Sequence, residues 1–286
     1  MEEKIAQFKI VSDSASDVAR IDGSVEYAYA PLKIITAEKE YVDNDNLDVK
    51  GMVDDLDSYK GRSSTSCPNS QEWIDAFGDK KYIFCVTITG TLSGSYNAAC
   101  VAKATYEEKF PDRKVYVINS LSTGPEMALI IDKLCELISE GKTYEEVVEE
   151  IEKYQKKTGL LFMLESMKNL ANNGRVNPLV AKAAGLLGIR VIGKASDRGD
   201  LQQLNKCRGE KKALETIVER MKEIAGKVSK VKIAHCLNED AAQKLKELVV
   251  ANFDKVKVEV LKCKALCSFY AEKGGLLVGF EKVTAQ

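Results

Sequence analysis

The chain has 286 residues, of which 45% are hydrophobic and 30% charged, and its formal net charge is −1. That length suits two ordinary domains or one large one, and the balanced charge excludes the strong basic excess of a general nucleic-acid binder. No apolar run reaches the about 20 residues that a membrane span needs, and the N-terminus lacks the pattern of a signal peptide. We therefore expect a cytoplasmic protein with no stable membrane insertion and no nucleic-acid partner.

The first half of the chain alternates strand-like and helix-like segments. Short apolar runs at residues 8–11, 82–86 and 115–118 each stop at a turn rich in Ser, Thr, Asp or Gly, and a helical pattern follows each turn. In residues 126–140, for example, Leu and Ile recur at helical spacing until Gly141. This order predicts a parallel sheet flanked by helices, and the polar turns would lie at its carboxyl edge, where such sheets bind ligands.

The second half of the chain has a different texture. A charged helix over about residues 143–157 leads to a strand at 159–164, where we place a domain boundary. Apolar runs then alternate with helical stretches, with runs at 190–192, 230–234, 256–261 and 276–280 and helices at 210–225 and 239–251. The predicted fold class is α/β with two domains. Residues 1–160 would form a parallel-sheet α/β/α domain, and residues 161–286 an α+β domain.

The loop TITGTLSGSYNAA, residues 87–99, is the strongest candidate binding segment. Gly90 and Gly94 let the backbone approach a ligand, and Ser93 and Ser95 precede a helix predicted from Tyr96. A helix N-terminus suits a carboxylate or a phosphate. The alternative is that Ser93 is only an N-cap, which on spacing alone is the commoner role. The P-loop and G-x-G-x-x-G patterns are both absent from the chain.

Two further segments carry polar candidates with plain structural alternatives. Thr65 and Ser66 stand just before Pro68, which suits the first turn of a helix, so they would either bind a ligand or cap that helix. Arg175 follows an Asn-Gly turn, and Arg208 lies in a basic cluster. Each arginine would either be solvated or meet a phosphate or an acidic partner.

Neither a hydrolase nor a metal site is expected. His235 is the only histidine, it ends a strand-like run, and G-x-S-x-G is absent, so a Ser-His-Asp triad is disfavoured. Cys263 and Cys267 have metal-like spacing, but no second cysteine pair or further histidine accompanies them. The eight cysteines are expected to be reduced thiols.

Seven short motifs, taken in order, resemble those of the DegV family of bacterial fatty-acid-binding proteins. The motifs span almost the whole chain: DSASDV (13–18), TSCPN (65–69), TLSGSYNAA (91–99), NNGRV (172–176), CRGEKKALE (207–215), AHCLNEDAA (234–242) and GGLLVGF (274–280). Each motif is weak by itself, and their common order and spacing make the resemblance specific.

The resemblance implies a binding protein rather than an enzyme. A long-chain fatty acid would lie between the two domains, as a ligand and without any cofactor or metal, and a separate fatty acid kinase would phosphorylate its carboxylate. Transferred by motif, Thr65 and Ser93 would hold the carboxylate, with Ser66 and the backbone near Gly94 beside them. Arg175 and Arg208 would face the kinase or its phosphate.

The chain departs from the family pattern at several positions. Cys67 and Asn69 replace a glutamine and a serine, Asn173 replaces a glycine, and Tyr270 falls where family members often have a histidine. These changes bear on kinase coupling more than on lipid binding. Two alternatives therefore stay open: an enzyme of the same architecture that acts on a small phosphorylated or carboxylated metabolite, and a lipid-sensing regulator.

Overall fold

The computed structural model describes residues 2–179, 181 and 188–283. The first half contains, in chain order, α1 (Glu2–Ile5), β1 (Phe8–Asp13), a 3-10 turn (Ser14–Ser16), β2 (Glu26–Ala30), β3 (Lys33–Ile35), β4 (Glu40–Val42), α2 (Val49–Ser58), β5 (Ser64–Ser66), α3 (Ser70–Phe77), β6 (Tyr82–Thr87), α4 (Ser95–Lys109), β7 (Lys114–Asn119), α5 (Pro125–Ser139) and α6 (Tyr144–Gln155). The second half contains β8 (Thr158–Leu164), α7 (Lys168–Asn172), β9 (Ile189–Ala195), β10 (Leu201–Arg208), α8 (Glu210–Ala225), β11 (Val228–His235), α9 (Glu239–Asn252), β12 (Lys257–Lys262), α10 (Ala265–Ala271) and β13 (Leu276–Lys282).

A four-stranded parallel sheet, in the order β2-β1-β6-β7, forms the centre of the first half. All six residues of β1 are buried, as expected for a strand that is covered on both faces. The helix α5 packs on one face, and α3 and α4 pack on the other with Trp73, Phe77 and Tyr106. The predicted parallel sheet between helical layers is therefore confirmed.

A small antiparallel sheet, in the order β4-β3-β5, lies outside the prediction. Its strands have three residues each, which is too short for a periodic signal. Thr65 and Ser66 belong to β5, and the α3 cap is Asn69, whose side chain accepts hydrogen bonds from two backbone N–H groups. The placement of Pro68 in the first helical turn was therefore wrong, because Pro68 precedes the cap residue.

The second half forms a six-stranded mixed sheet, in the order β10-β9-β8-β13-β11-β12. Only β11 and β12 pair in parallel within it. Alternate residues of β8 face opposite sides of the sheet. Leu161 therefore packs with α8 and α9, while Leu160 and Phe162 face the first half of the chain. The α+β prediction for this half is confirmed.

The proposed boundary at residue 160 falls inside β8. Thr158 pairs with Glu281 near one end of that strand, and Leu164 pairs with Val191 at the other. The passage from one large sheet to the other therefore lies between α6 and β8. The division of the chain into two domains remains a prediction.

Candidate functional site

An apolar cavity of about 280 Å³ lies between the two large sheets. Its wall combines loops at the carboxyl edge of the parallel sheet with the facing side of β8. Most of the apolar wall is aliphatic: Leu32, Ile88, Leu92, Leu160, Leu164, Leu170, Leu201, Leu266 and Leu277. The side chains with oxygen or nitrogen groups are Thr65, Ser66, Ser93, Thr123, Arg175 and Tyr270. An aliphatic wall with a few polar groups suits an amphiphile with a long apolar part.

The structure brings together all four residues that were predicted to hold a carboxylate. Thr65 and Ser66 on β5 and Ser93 and Gly94 before α4 line the same cavity. At Gly94 a Cβ atom would lie 3.3 Å from Cys67 Sγ, so the absence of a side chain lets the two segments approach each other closely.

Tyr270 on α10 is part of the same polar cluster, although sequence reasoning did not include it. The hydroxyls of Thr65 and Tyr270 lie 2.7 Å apart, and either can donate to the other. Burial raises the pKa of Tyr270, so the phenol keeps its proton. The pair thus holds two protons and uses one between its members, which leaves one O–H free for a ligand. A tyrosine 205 positions away in the chain gave no local signal of this contact.

Ser93 is not the N-cap of α4, because it lies one residue before that position. The N-cap of α4 is Gly94, and the Ser93 hydroxyl oxygen accepts a hydrogen bond from the Ser95 N–H at 3.3 Å. Because that oxygen acts as the acceptor, the hydroxyl proton of Ser93 is available to a ligand. The N-terminus of this 15-residue helix adds a favourable potential for a negative group.

A buried carboxylate orients the loop that carries Ser93. Asp13 ends β1, and its Oδ2 accepts hydrogen bonds from the Ile88 N–H at 2.9 Å and the Ser95 hydroxyl at 2.6 Å. Its Oδ1 accepts a third bond from the Ala15 N–H at 3.2 Å. Burial raises the pKa of Asp13 to about 7, and the three hydrogen bonds oppose that rise. Asp13 therefore ties the start and the end of the loop to the central strand.

Two more acids hold the start of α10 through carboxyl groups that are enclosed in the protein. Asp43 accepts hydrogen bonds from the Ala265 and Leu266 N–H groups at 2.9 and 3.0 Å, and Asp17 accepts one from the Lys264 N–H at 2.7 Å. Burial raises the pKa of both carboxyls, that of Asp17 to about 8. Since α10 carries Leu266 and Tyr270 of the cavity wall, these contacts set the position of that wall.

The two predicted arginines occupy different places. Arg175 lines the cavity, and its Nε donates a hydrogen bond to the Leu92 carbonyl at 3.1 Å, one residue before Ser93. Arg208 ends β10, is exposed, and does not line the cavity. A positive group thus stands beside the predicted carboxylate site, whereas Arg208 belongs to the outer surface.

Other side chains considered for chemistry have structural roles. His235 is buried, and its Nδ1 accepts a hydrogen bond from the Asn238 N–H at 3.2 Å. All eight cysteines are free. Across residues 2–179, 181 and 188–283, no cluster of three acidic, cysteine or histidine side chains is arranged to hold a metal ion. In the same part of the chain, no helix is both long and apolar enough to cross a bilayer.

Comparison with known proteins gives matches along nearly the whole chain. A DegV domain-containing protein of Streptococcus pneumoniae is 40% identical over 277 residues, which cover 96% of this chain and 99% of that protein. The Streptococcus pneumoniae Fatty Acid Kinase (Fak) B3 protein, solved loaded with linoleic acid, superposes with a TM-score of 0.95 at 40% identity and covers 96% of this chain and 99% of its own.

A second solved structure gives the same picture. A DegV family protein from Eubacterium eligens, loaded with heptadecanoic acid, has a TM-score of 0.94 at 42% identity, over 96% of this chain and 100% of that one. The family model described as "Uncharacterised protein, DegV family" matches residues 7–282. The chain described here is therefore a member of the DegV family.

Proposed function

We propose that the protein binds one long-chain fatty acid in the cavity between its two large sheets. The carboxylate would accept hydrogen bonds from Thr65 and Ser93, supported by Ser66 and the backbone near Gly94. The observation that carries this proposal is an aliphatic cavity whose hydroxyl groups come from neighbouring loop and strand ends. Two relatives at 40% and 42% identity, each solved with a fatty acid, support it.

The free energies involved are consistent with a lipid ligand. Each buried methylene contributes about 0.8 kcal/mol, so an acyl tail supplies most of the affinity. Hydrogen bonds to a charged head group contribute about 1.5–3 kcal/mol each and fix the orientation of the acid. The site needs no catalytic group for this task, and we propose a binding protein rather than an enzyme.

Native mass spectrometry of protein purified from a bacterial host tests the proposal, with a bound fatty acid as the expected result. An empty protein or a different bound mass would contradict it. The double variant Thr65→Ala plus Ser93→Ala should fold and bind fatty acid about 3 kcal/mol more weakly. The matched control is Ser64→Ala, which removes a hydroxyl from the same strand at a position that does not line the cavity.

We further propose that the protein presents the bound acid to a separate fatty acid kinase. The similarity to a protein named for that kinase supports this step. Arg175 beside the head group and Arg208 on the outer surface would meet the kinase or its phosphate. Because such a kinase consumes ATP, we propose that the exchange takes place in the cytoplasm.

The arginine proposal has a direct test. Arg208→Ala should retain bound fatty acid by native mass spectrometry, yet support slower ATP-dependent phosphorylation of that acid by a purified fatty acid kinase. Lys206→Ala, an exposed neighbour on the same strand, is the control and should keep the normal rate. An unchanged rate for Arg208→Ala would remove that residue from the kinase-facing surface.

A further inference from the structure

Several hollows adjoin the apolar cavity, one of them at Leu201, and two of them bear on the ends of the proposed lipid site. A shallow depression of about 330 Å³ shares Leu92, Ser93, Gly94 and Arg175 with the apolar cavity. An open cleft of about 630 Å³ shares a single residue with it among the described residues, and that residue is Leu160. The polar end of the cavity therefore adjoins the depression, and Leu160 marks the place where the cavity adjoins the cleft.

The cleft on the far side of Leu160 mixes apolar side chains such as Ile224 and Phe280 with charged ones, so it is a less favourable environment for a hydrocarbon than the apolar cavity. Its wall includes Lys156, Glu126 and Lys282, and the Thr158 hydroxyl donates a hydrogen bond to Glu126 at 2.7 Å. An acyl tail that reached this cleft would leave apolar surroundings for charged and hydrated ones, which costs free energy. Leu160 lines both hollows and is only 3% exposed, so its side chain stands between them.

Phe162, the neighbouring residue of the cavity wall, has little room to adopt a different side-chain position. Phe162 lies two residues along the same face of β8, and its ring rests on Gly193 of β9, where a Cβ atom would clash with the ring. The ring already occupies the space that this glycine provides. A change in cavity depth toward the cleft therefore depends on the size of side chain 160.

From these observations we propose that Leu160 is the stop for the methyl end of the acyl chain and so sets the longest chain that binds well. This inference rests on the proposed fatty-acid binding and adds a residue that determines selectivity. Leu160→Ala removes three carbons from the barrier and opens room for about two methylenes, each of which changes affinity about four-fold. Leu160→Phe should fill the end of the cavity and shift the preference toward shorter chains.

The test measures affinity for a series of saturated acids from myristic to behenic, by displacement of a fluorescent fatty acid from the delipidated full-length chain. Leu160→Ala is expected to raise the affinity for the longest acids relative to the shortest by about ten-fold or more. Leu161→Ala is the matched control, because that buried leucine lies on the opposite face of the same strand and loses a similar amount of packing. It should leave the length profile unchanged.

The possible outcomes distinguish a failure of this inference from a failure of the proposed fatty-acid binding. If the unaltered chain binds no acid of the series, the proposed function fails and the stop residue fails with it. If the unaltered chain binds fatty acids but both Leu160 variants show the same dependence of affinity on acyl chain length as the unaltered chain, only the assignment of Leu160 as the stop residue is overturned. Should Leu160→Ala not fold, Leu160→Phe tests the same barrier from the other direction, and an unshifted profile would overturn the inference.

Discussion

The two ends of the cavity are constructed on different physical terms. At the polar end, Thr65 and Ser93 are oriented by hydrogen bonds that reach back to Tyr270 and to the buried Asp13. At the end that we propose for the methyl group, Leu160 contributes bulk, and the alternation of the strand is enough to direct it into the cavity. Directional contacts determine the first region, and volume determines the second.

Because of this difference, the two regions are expected to tolerate amino-acid substitutions to different degrees. An apolar wall accepts side chains of similar volume at a cost below about 1.5 kcal/mol, although their size controls what fits beside them. A hydroxyl site loses affinity when a donor or the acceptor that orients it is removed, because the partner left behind is buried and unpaired unless a neighbouring hydroxyl can turn to replace the lost group. The sharpest tests of the comparison therefore remove single polar groups from the first region.

The largest effect is expected for Asp13→Ala. This change leaves the Ile88 N–H, the Ala15 N–H and the Ser95 hydroxyl without their acceptor in a buried setting. At about 1–3 kcal/mol for each unpaired donor, we expect the free energy of unfolding to fall by about 4 kcal/mol. Urea denaturation followed by circular dichroism measures it.

The control for this prediction is Asp13→Asn, which keeps a carbonyl oxygen in nearly the same volume. It should lose less than half as much stability as the alanine variant, because one acceptor remains for the loop. Unchanged stability in both variants would show that hydrogen bonds to side chain 13 do not hold the loop before α4. That outcome would remove the distinction between the two ends of the cavity.

The same distinction explains how much of the site could be predicted from sequence. The parallel sheet follows from three buried runs that each end at a polar turn, and residues 87–99 were selected by their composition alone. Strands of three residues, such as β5, carry no usable period, so spacing alone leaves open whether Thr65 binds a ligand or caps a helix. Its assignment to the carboxylate site came from the family resemblance and not from its spacing.

Contacts between residues that are far apart in the chain could not be predicted from the sequence. Asp43 was not singled out, although it accepts hydrogen bonds from the first N–H groups of α10 across more than 220 positions of sequence. Asp17 lies in a motif that suggested only a family, and nothing local indicates that its carboxyl is buried. Local patterns predict elements, whereas the pairing of a carboxylate with a remote helix start depends on how the elements pack.

A second prediction concerns the pH dependence of stability. Burial raises the pKa of Asp13 to about 7 and that of Asp17 to about 8, whereas both titrate near 4 in an unfolded chain. Between these values the native state binds more protons than the unfolded state, so these groups stabilise the fold at low pH, and their contribution is lost as the pH rises. Asp43 raises the pKa of Asp17 further, and Lys264 opposes that rise.

Asp17→Asn isolates this contribution, because an amide stays uncharged at every pH. The free energy of unfolding of the unaltered chain, relative to this variant, should fall by about 1 kcal/mol per pH unit from about pH 4 to about pH 8. Urea denaturation at several pH values gives the two curves. Parallel curves would mean that Asp17 titrates normally in the folded protein and that its environment is hydrated.

The smallest effect is expected at the hydroxyl pair itself. Tyr270→Phe removes one of two O–H groups that share a hydrogen bond, and the Thr65 hydroxyl can still donate to a bound carboxylate. The binding free energy of the fatty acid should therefore weaken by only about 1 kcal/mol, which is the net contribution of a typical neutral hydrogen bond. The bond that is lost is the one that orients the Thr65 hydroxyl. Displacement titration measures the change, and urea denaturation shows whether the fold is kept.

A double-mutant cycle with Thr65→Val completes the argument. Each single variant retains one hydroxyl that can turn toward the ligand, while the double variant retains none, so its loss of affinity should exceed the sum of the two single losses. A strictly additive cycle would mean that only one member of the pair meets the carboxylate. In that case the tyrosine would act as a packing residue of α10, and the polar end would depend on Thr65 and Ser93 alone.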